Sequence, residues 1–442
     1  IRPVETAKFL LGRGVRKLFF LFIAFIFKSF QTISWKIQGI QNIHDKNKDA
    51  KTKPLAQAVK VITWSKFDWL NRAGLRDYIY AHDEYVDAEY VLQHDNISLF
   101  FFDDCHDVAV FGEGDPGTLL WHSDADSFHA LAMFKLSRRL IIMPMSTFHQ
   151  IASTIPDPKE PIIMLGNTSR CGSTLLTQIF ECTKKVISIS EPYAMSVLAV
   201  LWETKGETPE VVKITRSIVR MYCHPIKAIP DPVAYVIKPT GPNFSSSVLI
   251  KKLYPNTRVF YLYRNMENVT KSMYKISFVI PTSRLIYLAC RISGALVSKV
   301  FKRAALATEN TNRTFDNDYC AGIFQAIVAT NVYRRMRQEE SYIYGLLFDD
   351  LIKDKEKAVR AILKVSGIPE SFAKDAMDAF QRDSQRNSVV SKAVLDKIKP
   401  LEWTPEDKAK SDKLMKEFGF PSIYEPCRIE GTLDFDEVLK TK

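Results

Sequence analysis

The sequence predicts an α/β chain, a P-loop-type parallel sheet flanked by helices, preceded by an N-terminal hydrophobic helix and an N-terminal accessory region. Three observations predict it. From Pro161 onward, short apolar runs at residues 162–165, 186–190, 234–238, 258–263 and 342–348 alternate with helical patterns, the signature of parallel strands with helices on both faces. The first of these runs sits in PIIMLGNTSRCGSTLLTQIF, residues 161–180, which reads as buried strand, small polar loop and helix. The charge divides the chain into three parts. Residues 1–60 carry twelve Lys/Arg against three Asp/Glu, residues 61–130 are net −11, and the remainder is net +13. The expected organisation is a basic segment with hydrophobic helix and linker (1–60), an acidic accessory region (61–150) and the main domain (151–442).

At the N-terminus, Arg13, Arg16 and Lys17 precede LFFLFIAFIF, residues 18–27, and Lys28 interrupts the apolar run after ten residues. A spanning helix wants about twenty apolar residues. That length is reached only by passing Lys28, Ser29, Gln31 and Thr32 to Trp35 and Ile37. Membrane attachment is the expectation, as a Golgi-type single-pass anchor with its basic flank in the cytosol or as an interfacial helix; the competing reading is a helix docked on the protein itself. Sequons at Asn96, Asn167, Asn243, Asn268 and Asn312 bear on the side of the membrane. A glycan at Asn167 or Asn268 would disrupt the phosphate-binding segments described next, which speaks for an attachment facing the cytosol.

Residues 40–60 read as a lysine-rich linker, and residues 64–92 as helical in part. ISLFFFDD (97–104) and VAVFGEG (108–114) read as strands, with a turn at GEGDPG (112–117). His82, His94, His106, His122 and His129 lie in this acidic part without zinc-ligand spacing, so no metal is expected and an acidic surface facing the basic domain is. Seven scattered cysteines without a CxxC pair give no zinc framework. No nucleic-acid reader module is present. The apolar stretch 280–300, interrupted by Arg284, Arg291 and Lys299, reads as an amphipathic helix.

The chemistry-bearing segment is the loop of residues 166–174. Successive backbone N–H groups and a helix N-terminus make such a loop a cradle for anions. Gly166 and Gly172 followed by Ser173 and Thr174 overlap the nucleotide P-loop spacing, but the lysine due after the second glycine is missing and Arg170 stands inside the loop instead. A second strand-to-helix segment, RVFYLYRNMENVTKSMYKI (258–276), places Arg264 at a strand end and Ser272 on the next helix.

TSRCGSTLL resembles the 5′-phosphosulfate loop of PAPS-dependent sulfotransferases, and Arg264 with Ser272 resembles their 3′-phosphate site. The resemblance covers about the C-terminal two-thirds of the chain. It implies PAPS as donor and PAP as product, held by Ser169, Arg170, Cys171, Gly172, Ser173 and Thr174 at one end and by Arg264 and Ser272 at the other. The SEP segment in ISISEPYAM resembles the strand-end Glu-Pro of carbohydrate-type sulfotransferases. This implies Glu191 as the base, with Arg170 as the cation near the bridging oxygen, and a hydroxyl or amine acceptor that is a carbohydrate or small molecule. A carboxylate serves as base where partial burial raises its pKa toward neutrality. His224 is the alternative base, and Lys238, at a strand end, is either a donor or acceptor contact or a surface lysine. RDSQRNSVVSK (382–392) resembles the family's late loop over the nucleotide, and LLFDDL (346–351) reads as structural. Two other functions share these features: a nucleotide kinase or NTPase, which should carry the missing lysine, and a catalytically silent membrane-associated scaffold.

Overall fold

The computed structural model describes residues 1–442 except 2, 50–52, 70–71, 301–310, 426 and 442. Helix α1 (Pro3–Gln38) lies against the body of the protein. Among the described residues no helix is long and apolar enough to cross a membrane. The single-pass reading of α1 is not sustained, because Lys28 and the polar side chains after it break the apolar run.

Five antiparallel strands follow: β1 (Leu55–Trp64), β2 (Tyr78–Asp87), β3 (Ile97–Asp103), β4 (Val108–Glu113) and β5 (Arg139–Pro144), in the order β2-β1-β5-β4-β3. The Phe-rich β3 lacks in/out alternation because both faces are covered. Phe100 and Phe101 pack with Phe134 and Tyr78 on one side, while Leu99 and Phe102 join Phe148 on the other. One expectation is corrected here and a second is completed. Residues 40–60 are not a linker, since they form the helix Ile43–Asp49 and most of β1; residues 64–92 contain the strand β2, with only short helical turns around it. The tyrosines, isoleucine and valine of YIYAHDEYVD favour a strand once a partner exists, and β1 supplies that partner along its whole length. Residues 50–52 and 70–71 of those two stretches lie outside the described residues.

The second sheet is parallel throughout: β6 (Ile162–Asn167), β7 (Val186–Ser190), β8 (Ala234–Lys238), β9 (Arg258–Tyr263) and β10 (Ile343–Leu347), ordered β10-β9-β6-β8-β7. Each strand coincides with an expected apolar run to within two residues. One face packs on Leu176, Phe180, Ile362 and their neighbours, and the other shares an apolar core with the antiparallel sheet, running from Phe102 and Phe148 through Ile187 to Tyr261. The stretch 280–300 is two helices, Pro281–Ile292 and Gly294–Val300, separated by an extended Ser293, rather than one. All five parallel strands end at the same edge of the sheet, where ligands of such sheets bind.

Candidate active site

Strand β6 ends at Asn167, whose Oδ1 accepts the Ser169 N–H at 2.9 Å, while the Thr168 N–H donates to Leu262 O of β9 at 3.0 Å. Ser169 and Arg170 then both take positive φ, 64° and 54°, before Gly172 at 83° caps the helix Ser173–Glu181. Consecutive non-glycine residues in this region cost of order 1–3 kcal/mol each and persist only where the surroundings enforce them. Position 172 needs glycine on a second count: a Cβ there would lie 2.2 Å from the Phe348 ring. The first-turn N–H groups of the helix, which have no acceptor within it, face the strand-end edge. Cys171 points the other way. Its thiol is fully buried, donates to Leu262 O at 3.3 Å and has its pKa raised by that burial, so only its backbone is placed to meet a ligand.

Two guanidiniums flank the loop. Arg170 Nε donates to Ser272 Oγ at 2.7 Å and its Nη1 to Gln385 Oε1 at 2.6 Å; burial, and secondarily the charge of Arg264, lower its pKa to about 10. Arg264 lies 4.8 Å over the Phe348 ring with its Nε buried and without a hydrogen-bond partner. Among the described residues neither arginine pairs with a carboxylate. Ser272 is bonded to Arg170, at the loop, and so ties the helix that follows Arg264 to the loop.

Glu191 and Lys238 form the third part. The chain turns sharply at Glu191, with φ 58° and its N–H donated to Lys238 O at 2.6 Å, before Pro192 leads into the helix Tyr193–Lys205. Lys238 is no surface lysine. It is fully buried at the end of β8, and its Nζ donates to Glu191 Oε1 at 2.8 Å and to Thr174 Oγ1 at 3.3 Å, with the Phe128 ring 5.2 Å away. The pair joins the base candidate to the first turn of the loop helix. His224 is not here. It lines a different cavity with Tyr222 and Ile187, where burial lowers its pKa, and so is removed as an alternative base.

The 382–392 segment folds over the site. Gln385 meets Arg170, Ser384 O accepts from Gln178, and the Arg386 and Asn387 carbonyls accept from Ser127 and Lys135 of the antiparallel region. In the 346–351 segment, Asp349 accepts the Asn265 N–H and Asp350 pairs with Arg428, while Phe348 supports both Gly172 and Arg264. The sequence marked the segments of Gln385 and Phe348 but not the contacts these two side chains make. Between these parts lies a cavity of about 180 Å³ whose polar wall is Ser169, Arg170, Thr174 and Glu191 and whose apolar wall includes Trp69, Phe128, Ile280 and Val390. The buried Asn167 Nδ2 on its margin has no protein partner. Asn167 and Asn243 are both buried, so a glycan fits neither sequon in the folded chain.

No protein-family model and no curated protein matches the chain. Among solved structures, it is similar to the sulfotransferase domain of the Synechococcus PCC 7002 olefin synthase, at 15% identity and TM-score 0.30 over 60% of this chain and 98% of that one. It is also similar to sulfotransferase STF1 of Mycobacterium tuberculosis H37Rv, at 12% identity and TM-score 0.32 over 62% of this chain and 81% of that one. Values this low do not transfer an activity.

Proposed function

We propose that this chain is a sulfotransferase that moves the sulfuryl group of PAPS to a hydroxyl or amine and releases PAP. The observation that carries the reading is the pair Arg170 and Arg264: two guanidiniums near enough to repel, beside an anion-cradling loop, with no carboxylate partner among the described residues. An anion bound between them would relieve that repulsion and take up their free donors. The donor fits the polar groups left over, Asn167 Nδ2 and Arg264 Nε.

The residues divide the work. The 169–174 backbone and Arg170 hold the 5′-phosphosulfate, and Arg264 holds the 3′-phosphate. Glu191 takes the acceptor proton as the acceptor oxygen or nitrogen bonds to sulfur. The bond from sulfur to the bridging oxygen breaks, and its electron pair stays on the 5′-phosphate. Lys238, at Thr174, with Arg170, stabilises the charge that grows there, and Lys238 also orients Glu191 through their 2.8 Å bond. The strand-end Glu-Pro is in keeping with an acceptor that carries a sugar.

A thermal-shift titration with PAP, ADP and ATP with magnesium tests the reading. A ligand at a hundred times its Kd adds about 2.7 kcal/mol to stability. Stabilisation by PAP well beyond that by ADP supports the 3′-phosphate site. Equal responses to ADP and ATP would favour a nucleotide kinase or NTPase, and no response to any of the three would overturn the proposal.

A further inference from the structure

Helix α1 carries its polarity inside out. Thirteen of the twenty large apolar side chains that are exposed among the described residues lie on it, including Leu18, Phe19, Phe22, Phe25, Phe30 and Ile33. The side facing the protein holds buried Ala24 and half-buried Phe20 and Phe27 among polar side chains that anchor it. Lys17 Nζ donates to Ser65 O at 2.6 Å and to Asp77 at 2.9 Å, and Arg13 donates to Val279 O at 3.1 Å. Further along, Lys28 sits 5.5 Å over the Tyr80 ring, Gln31 donates to Tyr80 O, and the Trp35 ring meets His82 at 6.0 Å. These contacts pin the helix flat along most of its length, which is about 54 Å at 1.5 Å per residue. Exposed Lys8, Arg16 and Lys36 flank the apolar stripe, within a segment of net charge +9. A flat apolar stripe with basic flanks complements an anionic lipid surface. Two copies stacked on the same stripe would bring like charges together.

The N-terminal half of α1 borders the site. A groove between α1 and the antiparallel sheet is lined by Phe9, Arg13, Trp64, Trp69 and Val389, and Trp69 and Val389 are also walls of the cavity that holds Glu191. The helix Pro281–Ile292, which meets α1 where Arg284 donates to Thr6, adds exposed Leu285 and Ile292. We infer that α1 lies in a lipid surface and that the acceptor is an amphiphile drawn from that surface, its hydroxyl-bearing head at Glu191 and its hydrocarbon along Trp69 and Val389. The inference rests on the sulfotransferase reading above.

The test uses the full chain, vesicles of phosphatidylcholine with and without phosphatidylserine, and PAPS with dodecyl or methyl glucoside as acceptor. The chain is expected to sediment with the anionic vesicles. Phe22→Asp with Phe25→Asp, both at exposed positions, should weaken that binding by at least about tenfold, the equivalent of one buried aromatic side chain, and leave PAP stabilisation unchanged. Dodecyl glucoside should have the higher kcat/KM, by about tenfold or more, and Val389→Asp should shrink that ratio, each variant being compared at saturating PAPS. PAP stabilisation with no vesicle binding, with equal turnover of the two glucosides, or with a lipid-free dimer that Phe22→Asp dissolves, overturns this inference alone. Absence of any PAP response removes the sulfotransferase reading and the acceptor assignment with it.

Discussion

The antiparallel and parallel sheets treat their charges in opposite ways. In the antiparallel sheet, Arg139 is held by Glu113 at 2.7 Å, Asp83 at 2.9 Å and Glu84 at 2.8 Å, which together push its pKa up; Asp77 bridges Lys17 and Lys66 at 2.9 and 3.0 Å. At the ends of the parallel strands, neither Arg170 nor Arg264 has an ion-pair partner among the described residues, and burial and Arg264 lower the pKa of Arg170. Net charge does not reveal this difference. A strongly acidic stretch has its ions neutralised in place, while the strand-end edge keeps two guanidiniums without an ion pair among the described residues, Arg170 on the wall of the cavity. Ions satisfied within the fold hold structure, and ions left open mark where a ligand completes the structure.

The largest expected effect probes the one site ion pair that the fold does satisfy. Glu191→Gln should lower kcat by about 10²–10⁴-fold, the range of a lost general base, with the PAP thermal shift intact. A mutant with full activity would reassign Glu191 to the structural class represented by Asp77. That class is tested by Asp77→Ala, which strands two lysines, one of them the buried Lys66, and should reduce unfolding free energy in a denaturant titration by about 3–5 kcal/mol while leaving PAP affinity unchanged.

Arg264→Ala sharpens the contrast from the other side. It should lose about 1.5–3 kcal/mol of PAP affinity by calorimetry, roughly ten- to a hundredfold, without loss of ADP affinity. Unlike Asp77→Ala it should leave the ligand-free protein no less stable, since repulsion with Arg170 is relieved. Lost stability would mean that the arginine pair is structural after all.

The last effect, nil at neutral pH and confined to acid, concerns a neutral buried group of the antiparallel region. His129, whose Nε2 lies 2.9 Å from Ser98 Oγ, has its pKa lowered by burial to about 3. The unfolded chain binds its proton near pH 6.5, so the stabilising contribution is complete above about pH 6.5 and is lost as pH falls toward 3, at up to about 1.4 kcal/mol per unit. His129→Gln should flatten the acid limb of a stability-against-pH curve. An unchanged limb would show that the ring is protonated in the fold.

Much of the parallel sheet was legible in the residues. Strands β7, β8 and β9 begin and end where the apolar runs do, because strands buried on both faces need unbroken apolar residues and cannot continue past Glu191 or Arg264. The loop of residues 166–174 was legible for the same reason, since its glycine and hydroxyl spacing is set by steric and hydrogen-bonding demands within a few residues. Strands β1 and β2 were not. A strand of mixed polarity is stabilised only by its neighbour, and the long connection between these two hides the pairing.

The sequence alone determined which segments become buried strands and where an anion-binding loop stands, because both follow from interactions between near neighbours. Tertiary structure alone decided which charges meet. Lys238 reaches Glu191 across 47 residues, Ser272 reaches Arg170 across 102 and Gln385 reaches it across 215, and α1 turns Arg13 and Lys17 inward and Phe19, Phe22, Phe25 and Phe30 out. Electrostatic pairing depends on distance in space and on exclusion of water, and neither is set until the chain has packed.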